Sequence, residues 1–249
     1  MLVMSQIVKS YVTSTVETRA LSSIDLHVAE GEFVALTGPS GSGKTTLLNV
    51  AGLLESPDSG TYTLNGKDVS SLNDRQRSQC RSELIGFIFQ GFNLLPDLSV
   101  IDNIELPLRI RGMKASERRA QSTKALATVG LSNRAQHFPA QLSGGQQQRV
   151  AIARAIAGEP KLILADEPTG NLDSGMSEQI MGLLHEINQS GTTIMMVTHD
   201  VEHAKKAARR VVIRDGKLQE DLSKSDNASA ASKRPAAAAP RSNAAVELA

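Results

Sequence analysis

The fold of this chain is limited most strongly by a short apolar run that is followed by a glycine-rich loop. Phe33–Thr37 (FVALT) carries no charge and is typical of a buried strand. The loop after it matches the pattern G-x-x-x-x-G-K-[ST], and a helical pattern follows. Glycines let backbone N–H groups surround a phosphate, and the helix N-terminus adds partial positive charge. The predicted phosphate contacts are Gly38, Pro39, Ser40, Gly41, Ser42, Gly43, Lys44, Thr45 and Thr46.

Two side chains of this loop have distinct predicted roles in holding a nucleotide. Lys44 supplies a positive charge to the β- and γ-phosphates, and the hydroxyl of Thr45 is a ligand for Mg²⁺. The alternative is a chance turn rich in glycine and serine. We favour the nucleotide site, because every position of the pattern is filled and a strand and a helix flank it.

A second apolar run, residues 162–165 (LILA), ends in two consecutive carboxylates, Asp166 and Glu167. In open α/β sheets, ligands bind at the carboxyl ends of the strands. Asp166 can reach the coordination sphere of Mg²⁺ through water, and Glu167 can orient and polarise the attacking water. An isolated acidic pair often does no more than solvate a strand end. Together with the phosphate-binding loop, however, this pair predicts hydrolysis of the bound nucleotide.

A third apolar run, residues 194–197 (IMMV), continues into Thr198, His199 and Asp200. His199 can hydrogen-bond a γ-phosphate or hold the attacking water, since phosphoryl transfer depends on positioning and charge. A lone histidine is more often structural than catalytic. The residue pattern alone therefore does not give His199 a catalytic role.

These strands alternate with longer helical patterns, which is typical of an α/β fold with crossover helices. The pattern is mainly helical from 91 to 157, which predicts a helical subdomain inserted into a core formed by 1–90 and 158–221. Asp215-Gly216 predicts a hairpin turn close to the end of this core. Residues 222–249, rich in Ala, Ser and Pro, are predicted to be a disordered tail. The predicted helices cover residues 44–54, 116–129, 146–157, 178–188 and 202–208.

Composition argues against several classes of protein. With 27 Lys and Arg against 26 Asp and Glu, the formal net charge of +1 lacks the electrostatic footprint of a nucleic-acid binder. A single cysteine, Cys80, excludes an intramolecular disulfide framework and fits a reducing compartment. No apolar stretch approaches the roughly 20 residues needed to cross a bilayer, and the start does not resemble a secretory signal. We expect a soluble, cytoplasmic protein that acts at a membrane only through a partner.

Between the loop and the acidic strand lies Leu142-Ser143-Gly144-Gly145-Gln146 (LSGGQ). A serine hydroxyl and two glycine amides at the start of a helix form a second anion site. A glycine-rich helix start alone is weak evidence. In this position, however, LSGGQ resembles the signature motif of ATP-binding cassette (ABC) proteins, and the resemblance extends to about Asp221.

The resemblance implies a fold and further roles. The implied fold is α/β: a P-loop NTPase (RecA-like) core with a mixed sheet, an antiparallel β subdomain and the inserted helical subdomain. Gln90 matches the glutamine that contacts Mg²⁺ and water, and residues 171–173 resemble the D-loop. His199 matches the switch histidine, and Tyr11 resembles the aromatic residue that stacks on adenine. For Tyr11, packing against its strand neighbours is the alternative.

In this family the signature of one cassette completes the ATP site of another. One set of motifs in the chain therefore implies a homodimer, in which Ser143, Gly144, Gly145 and Gln146 contact ATP held by the other copy. The implied cofactors are ATP and Mg²⁺. The implied catalytic residues are Glu167, His199 and Gln90, and the implied metal ligands are Thr45, Gln90 and Asp166.

Residues 91–96, 104–108 and 165–174 are similar to the cassettes of the lipoprotein-releasing and macrolide-exporter group. This similarity implies an integral membrane permease as partner, no nucleic acid, and work at the cytoplasmic face of the inner membrane. The function implied is export or extraction of a substrate. A related cell-division cassette, which regulates a membrane complex without transport, is the alternative. Residues 92–96 either form an apolar groove for a partner helix or seed the core of the helical subdomain.

Overall fold

The fold is described by a computed structural model that covers residues 1–12 and 17–223. Its strands are β1 (Leu2–Val12), β2 (Glu17–Val28), β3 (Phe33–Thr37), β4 (Ser59–Leu64), β5 (Lys67–Asp68), β6 (Ile85–Phe89), β7 (Leu162–Asp166), β8 (Thr193–Val197), β9 (Arg209–Arg214) and β10 (Lys217–Ser223). Its helices are α1 (Lys44–Ala51), α2 (Asp74–Leu84), α3 (Val100–Ile110), α4 (Ala115–Thr128), α5 (Gly144–Ile156), α6 (Ser174–Gln189) and α7 (Val201–Lys206). The predicted tail lies outside the described residues, apart from the end of β10.

The strands form two sheets. The larger is mixed, with the order β10-β9-β3-β8-β7-β6, in which β10 alone runs antiparallel to its neighbour. The smaller is antiparallel, with the order β2-β1-β4-β5. Asp215 and Gly216, both with positive φ, form the turn between β9 and β10. The predicted α/β fold with a mixed sheet and an antiparallel β subdomain is confirmed.

The central strands are buried on both faces, which explains their uninterrupted apolar sequences. In β3, Phe33 and Ala35 join a core cluster with residues of α3, α4, α5 and α6. Val34 and Leu36 join a second cluster with residues of α1 and the antiparallel sheet. Successive residues of a strand point to opposite faces, so the larger sheet separates the two clusters.

The register of the parallel strands brings their carboxyl ends to one level. Leu36 of β3 pairs with Val197 of β8, Val197 with Asp166 of β7, and Asp166 with Phe89 of β6. The segments that follow these residues leave the sheet at the same edge. They begin at Gly38, Thr198, Glu167 and Gln90.

The chain leaves the larger sheet after β6 and returns with β7. Between them, α3, α4 and α5 pack on one another, and α5 also contacts β6 and α6. These helices lie within the predicted range 91–157, whose extent as a subdomain stays a prediction. Among the described residues, no helix is both long and apolar enough to cross a membrane.

Helix α2, just before β6, was not predicted from the sequence. Cys80 is the one residue of this helix that is fully buried, so the sequence shows no apolar periodicity there. The helix begins at a capping box, in which Asn73 and Gln76 bond reciprocally to each other's backbone N–H groups. That cap was the available signal.

Replacing glycine with alanine is expected to lower the stability of the fold at Gly86 and to raise it at Gly182. A Cβ on Gly86 of β6 would lie 2.5 Å from the carbonyl oxygen of Ala155, whereas one on Gly182, exposed in α6, would have no neighbour within 4 Å. We expect Gly86→Ala to lower the free energy of unfolding by about 1–3 kcal/mol through overpacking. Gly182→Ala should raise it by about 0.5–1 kcal/mol through higher helix propensity. Urea unfolding measures both, and a Gly86→Ala protein as stable as the native one would contradict the packing.

Candidate active site

The phosphate-binding loop runs from β3 to α1 close against other backbone. Gly38 and Gly43 have φ angles of 146° and 102°. A Cβ on Gly38 would lie 2.0 Å from the carbonyl oxygen of Ile213, and one on Gly43 would lie 2.4 Å from that of Ala20. Both the conformation and the space therefore require glycine at the two ends of the loop.

The N-terminus of α1 is open to an anion. Its N-cap is Gly43, no side chain caps it, and its first turn holds no acidic residue. By contrast, side chains of Ser99, Ser143 and Asp173 cap the starts of α3, α5 and α6. The free N–H groups and partial positive charge of α1 therefore face the loop with no side-chain cap from residues 1–12 or 17–223.

Two polar side chains of the loop also suit a phosphate. The Lys44 ammonium donates to the carbonyl oxygens of Gly38, at 2.9 Å, and Pro39, at 2.7 Å, so its charge stays within the loop. Ser42 is buried, and its hydroxyl has no hydrogen-bond partner among the described residues. Buried polar groups normally have partners, and a bound phosphate would supply one here.

Asp166 ends β7 half-buried, beside the loop. Burial raises the pKa of its carboxyl, the charge of Glu167 raises it further, and Lys44 offsets part of the increase. The site thus holds more negative charge than Lys44 balances. The side chains predicted to hold a metal, those of Asp166, Thr45 and Gln90, all offer oxygen, which is the donor that Mg²⁺ prefers. This donor set fits Mg²⁺.

Glu167 follows directly and contacts the histidine of the next strand. Its Oε2 lies 2.6 Å from Nδ1 of His199, a side chain that is 73% exposed. Glu167 has a φ of 48°, in the left-handed region. Its N–H donates to the carbonyl oxygen of Val197 at 3.0 Å, which ties the turn after β7 to β8. Two of the three residues predicted to be catalytic, Glu167 and His199, thus meet at the edge of the sheet.

Gln90, after β6, contacts the predicted D-loop. Its carbonyl oxygen accepts from Nδ2 of Asn171 at 2.9 Å, and its own amide donates back to Asn171 at 3.4 Å. In the turn that leads from β7 to this D-loop, the carbonyl oxygen of Pro168 accepts a hydrogen bond of 2.6 Å from Gln148 of α5. Gln148 is completely buried and was missed from the sequence. Its signal was a polar residue on a helix face otherwise made of small and aliphatic residues.

Arg154 of α5 holds the loop that follows Gln90. Its guanidinium donates to the carbonyl oxygen of Phe92, at 2.8 Å, and to that of Asn93. Both of these residues have positive φ angles. Beyond them, Leu94 packs partly buried on the core, whereas Leu95 is 45% exposed. Of the two alternatives for residues 92–96, Leu94 fits a place in the core, whereas Leu95 is open to a partner.

Tyr11, near the end of β1, reaches the side of α1. Its hydroxyl donates to Oε2 of Glu55 at 2.5 Å, while Oε1 of Glu55 accepts from Asn49 of α1 at 2.9 Å. Burial and Glu55 raise the pKa of Tyr11, which also hydrogen-bonds Thr46. The Lys9 ammonium lies 5.8 Å from the ring centroid. The ring is 39% exposed beside the loop, and its stacking on adenine stays a prediction.

The signature is well formed at the start of α5. Ser143 and Gln146 form a capping box at the start of α5, with N–H to side-chain oxygen distances of 3.1 Å and 3.3 Å. Gly145 is buried and faces Met176, and Gly144 faces Phe92 and Leu172. Within the described residues, no hydrogen bond joins 143–146 to 38–46. The anion site predicted at the start of α5 therefore has no hydrogen bond to the phosphate-binding loop of its own chain in the described part.

Comparison with known proteins identifies the family. The model of the ABC transporter family matches residues 21–170. The chain belongs to the ABC transporter family. YvrO of Bacillus subtilis (strain 168), described as an uncharacterized ABC transporter ATP-binding protein, is 51% identical over 88% of this chain and 95% of its own length. The macrolide export ATP-binding/permease protein MacB of Hyphomonas neptunium is 46% identical over 88% of this chain, which spans 34% of MacB.

A solved ABC cassette has the same fold. The dimeric structure of the ATP-binding cassette MJ0796 in a post-hydrolysis state, bound to ADP and Pi, matches with a TM-score of 0.82 and 41% identity. The match covers 90% of this chain and 98% of that one. The predicted family and fold are confirmed, and the chain is an ABC-type ATPase. The roles of its individual site residues stay predictions.

The raised pKa of Asp166 predicts how its substitution changes the stability of the nucleotide-free ABC cassette. Since the folded state penalises the ionised carboxyl, its charge destabilises the fold at any pH above the unfolded-state pKa. Asp166→Asn should therefore raise the melting temperature at pH 7, and the gain should shrink as pH falls toward the titration range. A lower melting temperature at pH 7 would contradict this electrostatic picture.

Asp58 is the matched control with the opposite sign. The backbone N–H of Ser10 donates to its carboxylate at 2.6 Å, and this bond, with the Lys9 ammonium at 3.0 Å, lowers the pKa of Asp58. Its stabilisation is present above the unfolded-state pKa and is lost as pH falls. Asp58→Asn should therefore lower the melting temperature at pH 7. Differential scanning fluorimetry at pH 7, and at lower pH through the titration range of the two carboxyls, compares the two variants.

Proposed function

We propose that this chain is the ATP-hydrolysing subunit of a transporter and powers export or extraction of a substrate by a membrane permease. The observation that carries the proposal is the 2.6 Å contact between Glu167 and His199, at the sheet edge where the phosphate-binding loop begins. This contact supports the proposed roles of a carboxylate and an imidazole beside the γ-phosphate and the attacking water.

The loop residues hold the triphosphate. The open N-terminus of α1 and the Ser42 hydroxyl donate to phosphate oxygens, and Lys44 turns from the carbonyl oxygens of Gly38 and Pro39 to the β- and γ-phosphates. Thr45, Asp166 and Gln90 would hold Mg²⁺. When bound, this ion supplies positive charge that neutralises the phosphate oxygens.

Glu167 orients and polarises the attacking water, and His199 hydrogen-bonds the γ-phosphate. The Glu167 side chain is 18% exposed, so it is partly shielded from bulk solvent. His199 is largely exposed, which leaves it free to turn from Glu167 to a bound nucleotide. Hydrolysis then depends on where these two side chains are held, since phosphoryl transfer needs positioning and charge more than covalent catalysis.

Two copies of the chain form the complete enzyme. In this proposal, residues 143–146 of one copy supply the second anion site for ATP held by the other, since no hydrogen bond of the described residues joins them to the loop of their own chain. Dimeric cassettes among the solved structures that resemble this chain support it. ATP binding would close the dimer, and hydrolysis would reopen it.

The dimer acts beneath an integral membrane permease at the cytoplasmic face of the inner membrane. MacB, which carries a matching cassette in one chain with a permease, supports this arrangement. Leu95, exposed at the end of the loop that Arg154 holds, offers an apolar contact to the permease. A cassette that regulates a membrane complex without transport is the second candidate. The membrane protein that co-purifies with the chain, and whether it moves a cargo, separates the two.

Glu167→Gln tests the assignment of the catalytic carboxylate. The amide keeps the size of the side chain but cannot accept a proton, so kcat should fall by about a hundredfold or more, while ATP binding stays near that of the native protein. With turnover blocked, ATP should drive the variant into stable dimers. Phosphate release, ATP titration and sedimentation measure the three quantities.

Lys44→Ala is the comparison variant. It removes the charge that holds the phosphates, so ATP affinity itself should fall by about tenfold or more and no ATP-dependent dimer should accumulate. Full turnover by the Glu167→Gln protein would overturn the assignment of Glu167.

A further inference from the structure

A second contact between the same two segments lies behind the pair formed by Glu167 and His199. Oγ1 of Thr169, two residues after Glu167, is 3.1 Å from Nδ1 of His203, four residues after His199. Both residues are buried, at 8% and 7% exposure. His203 is thus a buried titratable group with no place in the mechanism described above.

The first turn of α7 fixes the backbone of His203. Oδ1 of Asp200, the N-cap, accepts from the N–H groups of Glu202, at 2.7 Å, and His203, at 3.1 Å. The N–H of Asp200 in turn donates to Oγ1 of Thr198 at 3.1 Å. The histidine ring therefore projects from a turn that is anchored directly after β8.

Charged groups from two helices surround the ring. Asp200 of the α7 cap lies 3.5 Å from Nδ1, and Glu178 of α6 lies 3.9 Å from Nε2 and also pairs with Lys206 of α7. The contact with Thr169 forms with either neutral tautomer, because a hydroxyl can donate to Nδ1 or accept from it. A cavity of about 430 Å³ opens beside the cluster and is lined by residues of both segments, including Glu167, Thr169, His199 and His203.

Glu167 needs such support because its backbone is in the left-handed region, with a φ of 48°. The turn is closed by the N–H of Gly170, which donates to the carbonyl oxygen of Glu167 at 3.0 Å. Gln148 fixes Pro168 from the side of α5. On the side of α7, the side-chain bond to Thr169 joins the turn to the segment that carries His199.

We propose that Thr169 and His203 are positioning residues, whose buried hydrogen bond keeps the Glu167 carboxylate and the His199 imidazole in register for hydrolysis. The inference rests on the proposed roles of Glu167 and His199. Neither Thr169 nor His203 belongs to the loop that holds the phosphates. Loss of the bond therefore lowers kcat and leaves ATP affinity unchanged.

Paired substitutions test whether the hydroxyl and the ring nitrogen act together. Thr169→Val keeps the shape but removes the hydroxyl, whereas Thr169→Ser keeps the hydroxyl. His203→Leu removes the ring nitrogens, whereas His203→Asn keeps a polar atom near Nδ1. We expect Val and Leu each to lower kcat about three- to tenfold, with KM and the Kd for ATP within about twofold of the native values. Ser and Asn should stay close to the native rate.

The double variant and a distant control complete the experiment. Thr169→Val combined with His203→Leu should be no slower than the slower single variant, because both remove one bond. Thr123→Val removes a hydroxyl that bonds the Arg119 carbonyl oxygen on the surface of α4, and it should leave kcat unchanged. Melting temperatures identify variants whose loss reflects unfolding.

Equal rates for Thr169→Val and the native protein would overturn the inference, and so would equal losses for Val and Ser. Glu167→Gln, measured alongside, separates this failure from failure of the proposed function. If Glu167→Gln stops turnover while Thr169→Val keeps the native rate, the carboxylate is catalytic and the buried bond is irrelevant. If Glu167→Gln retains turnover, the assignment of Glu167 itself is wrong.

Discussion

The parallel register of four strands is the constraint on which the rest of this site depends. Because Leu36, Val197, Asp166 and Phe89 lie in one hydrogen-bonded row, the segments that follow them share one edge of the sheet. A phosphate-binding loop, two carboxylates, a histidine and a glutamine thus begin at the same edge of the sheet. A slip of one residue in any of these strands would turn its side chains to the opposite face and bury the wrong groups.

At this edge of the sheet, the turn after β7 is hydrogen-bonded to α5, to α7 and to the segment that follows β6. Gln148 reaches it from the signature helix, Asn171 joins it to Gln90, and Thr169 joins it to α7. Arg154 extends the same helix to the loop after Gln90. A displacement of α5 would therefore act on the turn after β7, which carries the proposed catalytic carboxylate, and on the proposed permease contact together. This gives a physical basis for coupling hydrolysis to a partner, through packed and hydrogen-bonded elements.

The sequence predicted the central strands and the phosphate-binding loop because their reasons are local. Strands buried on both faces must be apolar along their whole length, and the loop needs glycine at Gly38 and Gly43. Helix α2 escaped detection because it buries little. Gln148, Arg154 and His203 escaped because their partners lie 20, 62 and 34 residues away, and only the folded chain defines those contacts. Single-sequence patterns carry no record of such pairs.

In the proposed dimer, each active site combines the loop of one copy with the signature of another. Lys44→Ala and Ser143→Arg should each inactivate the homodimer, but a mixed dimer has one site with both changes and one with neither. If each site is shared between two copies, an equimolar mixture of the two inactive proteins should therefore regain ATP turnover, up to about a quarter of the native rate. A mixture that stays as inactive as its components, although both variants fold and mixed dimers form, would contradict it.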